Sequence, residues 1–159
     1  MDHRSQGRRP GPGNQQRPND SGRAEDRKRP TEQQVTDILE HKPDRIDELA
    51  GELANQISRL THSQVRNFYA PFVRLRGELA AGQDRSKEHA RLLLMHKART
   101  AYMAARDRKA EPLSGWFGTL FTKATRDGHA RPQEVRALCD FAEAVVAYHY
   151  SKEPKGEEQ

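Results

Sequence analysis

From Thr31 onward the apolar residues recur at intervals of three and four. No β-branched run alternates with period two for long enough to build a sheet. This periodicity predicts an all-α fold, a compact bundle of about five or six helices. Thr31 and Gln34 form a capping box ahead of Val35, Ile38 and Leu39, and Pro43 is expected to end that short helix. Asp44 can cap a second helix carrying Ile46, Leu49, Leu53, Ile57 and Leu60, which Gly51 weakens slightly. Thr61 and Gln64 form another capping box. The third helix then aligns Val65, Phe68, Phe72, Leu75 and Leu79, ending near Gly82. Pro71 removes a bond to the carbonyl of Asn67 and should bend this helix or divide it. Arg66 and Arg74 lie off the apolar stripe, with Arg76 at its edge.

The fourth helix, about Ser86 to Arg106, has an expected core stripe of Ala90, Leu94, Ala98, Ala101 and Ala105. Arg99 and Arg106 fall within about 20° of each other on the opposite side, beside Met95 and Tyr102. Leu92 points the same way. A helix with apolar residues around so much of its circumference is central in a bundle or shared with a neighbouring subunit. Pro112 starts a fifth helix with Leu113, Trp116, Phe117, Leu120 and Phe121, expected to end at Gly128. Pro132 opens the last helix, where its missing donor costs nothing. There Val135, Leu138, Cys139, Ala142, Val145, Val146 and His149 share a face. The stretch from Phe141 to Tyr150 is too apolar for a lone surface helix and too short for a membrane span.

Residues 1–30 differ in kind. They hold four Gly, four Pro, seven Arg and one Lys against four acids, with Met1 and Ala24 as the only apolar residues. Such a segment buries too little surface to offset its ordering entropy, so it is expected to be disordered. The folded domain is expected over residues 31–152, and residues 153–159 form a second disordered tail. The leader, with eight basic and four acidic residues, carries +4 of the formal +5 charge. Between Thr31 and Tyr150 the balance is 18 basic to 16 acidic, so a polyanion site there must come from how charge is distributed. The leader itself either adds salt-sensitive attraction to nucleic acid or simply solubilises. One cysteine, Cys139, excludes a disulfide framework and a thiolate metal site. The N-terminus has no apolar signal core, and the expectation is a cytoplasmic protein with no membrane partner.

No catalytic set, metal site or cofactor motif is legible. His89 and His96 are seven apart without a third ligand, and read as ordinary polar-face histidines. His149, on an apolar face, reads as a packed, hydrogen-bonded side chain. There is no glycine-rich phosphate loop, HExxH or EF-hand pattern, and Asp47, His62 and Ser63 lack the context of a triad. The arginines carry the remaining chemistry, because guanidinium forks match phosphate oxygens and hold a backbone without reading bases.

Three segments resemble the small subunit of type III-A CRISPR effector complexes. They are LTHSQVRNFY from Leu60 to Tyr69, LMHKARTAYMAAR from Leu94 to Arg106, and FAEAVVAYH from Phe141 to His149. The resemblance implies a non-catalytic helical subunit of the Csm complex that occurs in several copies. Neighbouring copies of the chain would stack as an inner filament against the backbone subunits and the large Cas10-type subunit. A basic surface would face the duplex of guide RNA and target RNA. By motif position it implies RNA contacts for Arg66, Arg99 and Arg106, with Arg59, Arg74, Lys97 and Arg131 as weaker candidates. Leu92, Tyr102, Glu143 and Tyr148 are the candidates for packing or subunit contact. Ala98, Ala105 and Tyr150 depart from the family's usual proline, glycine and lysine, and the last change removes a positive charge. The rival readings are a helical protein–protein adaptor and a small DNA-binding regulator, although no helix–turn–helix pair is evident.

Overall fold

A computed structural model describes Gly11, residues 28–83 and residues 85–152. Its helices are α1 (Glu32–Leu39), α2 (Pro43–Gln56), α3 (His62–Ala80), α4 (Ser86–Arg106), α5 (Glu111–Ala124) and α6 (Pro132–Ser151). A 3-10 turn (Arg108–Ala110) precedes α5, and a two-stranded hairpin, β1 (Thr125–Arg126) with β2 (His129–Ala130), joins α5 to α6. The fold is all-α, as the periodicity predicts. The readings for residues 1–27 and 153–159 lie outside the described residues, Gly11 excepted. The continuous described chain starts at Lys28, three residues before the expected boundary.

Both capping boxes form. Thr31 and Thr61 Oγ1 accept from the amides of Gln34 and Gln64 at 3.1 and 3.2 Å, and each glutamine side chain accepts back at 2.9 Å. Pro43 begins α2 rather than ending α1, because a helix start has no use for the missing N–H. Asp44 therefore sits in the first turn, behind a Lys42 cap without a side-chain bond. His41, at φ 60°, marks the stop of α1 and reaches Asp140 of α6 at 2.5 Å. Pro71 neither divides α3 nor shortens it. The stripe from Val65 to Leu79 is buried on both sides of the proline, and that burial outweighs one missing backbone bond.

The largest correction concerns α4. Its buried residues are His89, Ala90, Leu93, His96 and Thr100, whereas Leu94 is 44% exposed and Ala98, Ala101 and Ala105 face solvent. The helix is turned by about 120° from the expected stripe. Alanines have little surface to bury, so Leu93 and two imidazoles win the place against the aromatic core. The histidine reading fails with it: both rings are interior. Helix α5 likewise ends at Ala124, before Gly128. Asp127 and Gly128, at φ 53° and 75°, instead supply the two left-handed residues of a tight hairpin turn.

Helix α6 packs on α2 and α3, which explains its apolar composition: Val135, Leu138, Cys139, Phe141, Ala142 and Val145 are all buried. Trp116, Phe117 and Phe121 of α5 and Phe72 of α3 fill the space beside it. His149 is packed and bonded as expected, its Nε2 lying 2.9 Å from the Leu60 carbonyl. Burial pushes the Cys139 thiol up to about 11. Among the described residues no helix is long and apolar enough to cross a membrane.

Candidate nucleic-acid interface

Helices α3 and α4 form an antiparallel hairpin pinned at three levels. At the turn end His89 Nε2 lies 2.7 Å from Glu78 Oε2. This bond is the main cause holding the Glu78 carboxyl below its usual range. In the middle His96 packs on Phe68 and Phe72, with ring centroids 5.1 and 5.2 Å apart. At the far end Gln64 Nε2 donates to Asp107 Oδ2 at 2.9 Å. Between these pins a groove opens to solvent, lined by Ala70, Pro71, Arg74, Leu92, Met95 and Arg99.

The arginines expected at the interface are divided by this geometry. Arg74 of α3 and Arg99 of α4 both line the groove, as does Leu92. Arg106 continues the Arg99 flank two turns on; its guanidinium stacks 5.7 Å from the Tyr102 ring centroid, and Nη1 donates to that hydroxyl at 3.0 Å. Arg66 is exposed on the solvent side of α3, two turns before Arg74 and about 80° around the helix from it. Arg59 is exposed in the connection between α2 and α3. Lys97 stands on the opposite flank of α4 from Arg99, where Nζ donates to Thr122 Oγ1 of α5 at 2.7 Å. Arg131 lines a different cavity, with Lys123 and Arg126 but also Glu32, Glu40 and Glu134.

Charge compensation differs among them. Arg66, Arg99, Arg59 and Arg131 make no ion pair with a described carboxylate, and Arg74 makes only a long one, 3.4 Å to Glu78. Arg76, which the pattern placed at the edge of the stripe, is instead neutralised by Asp140 and Glu143 at 2.9 and 2.7 Å. Glu143 is thus engaged within the chain, and Tyr148 donates its hydroxyl to Asp47 of α2. Among the described residues Tyr102, 63% exposed, is the most open large hydrophobic side chain, and Leu94 and Met95 accompany it on the outer side of α4.

Two features were missed by sequence reasoning. His96 is enclosed by Phe68, Phe72 and Phe121, and burial, then the Arg99 charge, lower its pKa to about 4. Neither ring nitrogen makes a well-aligned bond to a described residue, although the Phe68 backbone pulls weakly the other way. The second is a basic trough between α4 and α5, where Lys97, Lys123 and Arg29 meet. Its members are separated too widely in sequence to signal one another. Among the described residues no group of three or more His, Cys, Asp or Glu could hold a metal ion.

The fold and surface together define a small all-α bundle that carries surface guanidinium groups and an exposed apolar helix face. The family model Csm2 Type III-A matches residues 40–155, and the chain belongs to that family, the small subunit of the type III-A CRISPR effector complex. No curated protein and no solved structure matches it.

Proposed function

We propose that the outer side of the α3–α4 hairpin holds the ribose-phosphate backbone of the guide–target RNA duplex without reading its sequence. The observation that carries this is the uncompensated charge. Arg99 and Arg66 have no described carboxylate partner, and Arg74 and Arg106 extend the same two helices. Guanidinium groups on a helical scaffold that lack internal partners are suited to phosphate oxygens. Base pairing between the two RNAs would then supply all the specificity, and this chain only grip. A role in the inner filament, beside neighbouring copies, the backbone subunits and the large Cas10-type subunit, is part of the same reading. The protein is proposed to have no catalytic role.

A subunit contact through α4 is favoured by a separate observation: Leu94, Met95 and Tyr102 are open to solvent, with Ala98, Ala101 and Ala105 beside them. The test is the Arg66→Ala, Arg99→Ala, Arg106→Ala triple variant in the reconstituted complex. Loss of three phosphate contacts should lower the slope of log affinity against log salt by up to about 2.7. Unchanged RNA affinity across the salt series, with assembly intact, would refute RNA contact and leave the adaptor reading.

A further inference from the structure

Tyr102 is an aromatic ring held in the open. It is 63% exposed, whereas Tyr69 and Tyr148 pack against the core. Its hydrogen bond and its cation contact come from one residue of its own helix. The Arg106 guanidinium lies 5.7 Å from the ring centroid, and Nη1 donates to the Tyr102 hydroxyl at 3.0 Å. These two contacts restrain the ring while most of its surface stays in water. An exposed ring contributes little to the fold, but one ordered in advance lowers the entropy lost when a ligand stacks on it.

The place of the ring on α4 points to its ligand. At 100° per residue Tyr102 stands about 40° from Arg106 and about 60° from Arg99, where the arginine flank meets the alanines. Along the axis it lies between those two exposed arginines, which are about 10 Å apart. The acids of this helix and its C-cap are already engaged: Glu88 pairs with Arg91 at 2.6 Å, and Asp107 accepts from Gln64 at 2.9 Å and lies 3.7 Å from Lys109. Uncompensated positive charge thus precedes and follows an open ring. An apolar protein pocket would have to desolvate those cations, and the centres of protein interfaces are depleted of charge. A nucleotide satisfies both groups at once, with phosphate oxygens on the guanidinium forks and a base on the ring. The apolar face proposed for subunit contact continues beyond the ring through Ala98, Ala105 and Leu94.

We propose that Tyr102 is a stacking platform for one unpaired RNA base, whose flanking phosphates Arg99 and Arg106 hold. This deepens the RNA-binding reading above and rests on it, adding a base contact to the phosphate grip. The base must be unpaired, because neighbours cover both faces of every base inside a continuous duplex. Every base has a π-face, so the platform tolerates any sequence.

The experiment uses the full-length chain and two fluorescent strands of equal length and charge, an oligouridine and one whose bases are replaced by abasic spacers. Anisotropy is followed over a salt series. The native chain should bind oligouridine more tightly than the abasic strand. Tyr102→Leu changes an exposed side chain, so the fold should survive; circular dichroism checks this. It should weaken oligouridine binding about five- to hundredfold at every salt concentration, with the salt slope unchanged, because a stacked ring releases no counterions. Its affinity for the abasic strand should stay native. Tyr102→Phe keeps the ring and should retain most of the oligouridine affinity. The Arg99→Ala, Arg106→Ala pair should weaken both strands and lower the slope by up to about 1.4. Equal affinity of the native chain for the two strands, or equal weakening of both by Tyr102→Leu, would overturn the platform. Native RNA affinity in Tyr102→Leu with impaired co-assembly would overturn it in favour of a protein partner. If the arginine pair leaves the abasic strand unaffected, the phosphate reading itself fails. If that pair weakens it while Tyr102→Leu binds oligouridine as the native chain does, only the platform fails.

Discussion

His96 offers a test of how α4 is turned, since its protonation reports whether the ring is inside. The side chain is 5% exposed and is enclosed by three phenylalanines. Its pKa falls from 6.5 to about 4, chiefly through burial and secondly through Arg99. The folded state thus binds its proton less readily than the unfolded state. Stability from the neutral ring is complete above the unfolded value and is lost as pH falls from 6.5 towards 4. At pH 5 the difference in proton affinity amounts to about 2 kcal/mol, a substantial part of a small domain's stability. His96→Phe keeps a ring in the cavity and removes the titration. Urea unfolding of both proteins at pH 7, 6 and 5 should show the variant gaining about 2 kcal/mol relative to the native chain over that interval. Whatever the change in packing costs at pH 7, it is the same at each pH and cancels. Every other side chain is common to both proteins, so its contribution cancels likewise. A gap constant within about 0.5 kcal/mol from pH 7 to 5 would refute a buried, neutral His96.

Two further outcomes follow from the packing and the caps. Leu93→Ala should cost about 2–5 kcal/mol and Leu94→Ala less than about 0.5 kcal/mol in chemical denaturation, and equal losses would contradict the rotation of α4. Thr61→Ala removes the acceptor for the Gln64 amide and should cost about 1 kcal/mol, with Thr61→Asn restoring most of it; no loss would mean that the box is not holding the start of α3.

Where large apolar residues recur, the sequence pattern sufficed. The stripe from Val65 to Leu79 is buried residue for residue, and so is the aromatic run of α5 from Leu113 to Phe121. The capping boxes were equally legible, because a threonine and a glutamine three residues on bond locally and need no tertiary partner. Pattern reading failed where the partner was distant. Nothing near Pro43 tells whether it closes α1 or opens α2, a choice linked to the contact of His41 with Asp140 in α6. Asp127-Gly128 carried a hairpin signal, yet strands of two residues give no alternation to detect. Pairing of Arg76 with Asp140 and Glu143 spans two helices and was invisible in one dimension.

The reading of α4 failed for a reason that also decides the surface. Five alanine or leucine positions formed the better stripe by count, but the core selects by shape and area, and Phe68, Phe72 and Phe121 present faces that an imidazole stacks against. Once His96 turns inward, the geometry of the helix leaves little freedom. Lys97, one residue on, swings to α5 and meets Thr122, while Arg99, three residues on, swings to α3 and the groove with Arg74. The same rotation exposes Leu94, Ala98, Ala101 and Tyr102. Core packing of a single histidine thereby separates two cationic surfaces and opens an apolar face between them. On the proposed function, a variant that rotated α4 should disturb RNA affinity and subunit contact together, whereas Arg99→Ala should lower RNA affinity alone.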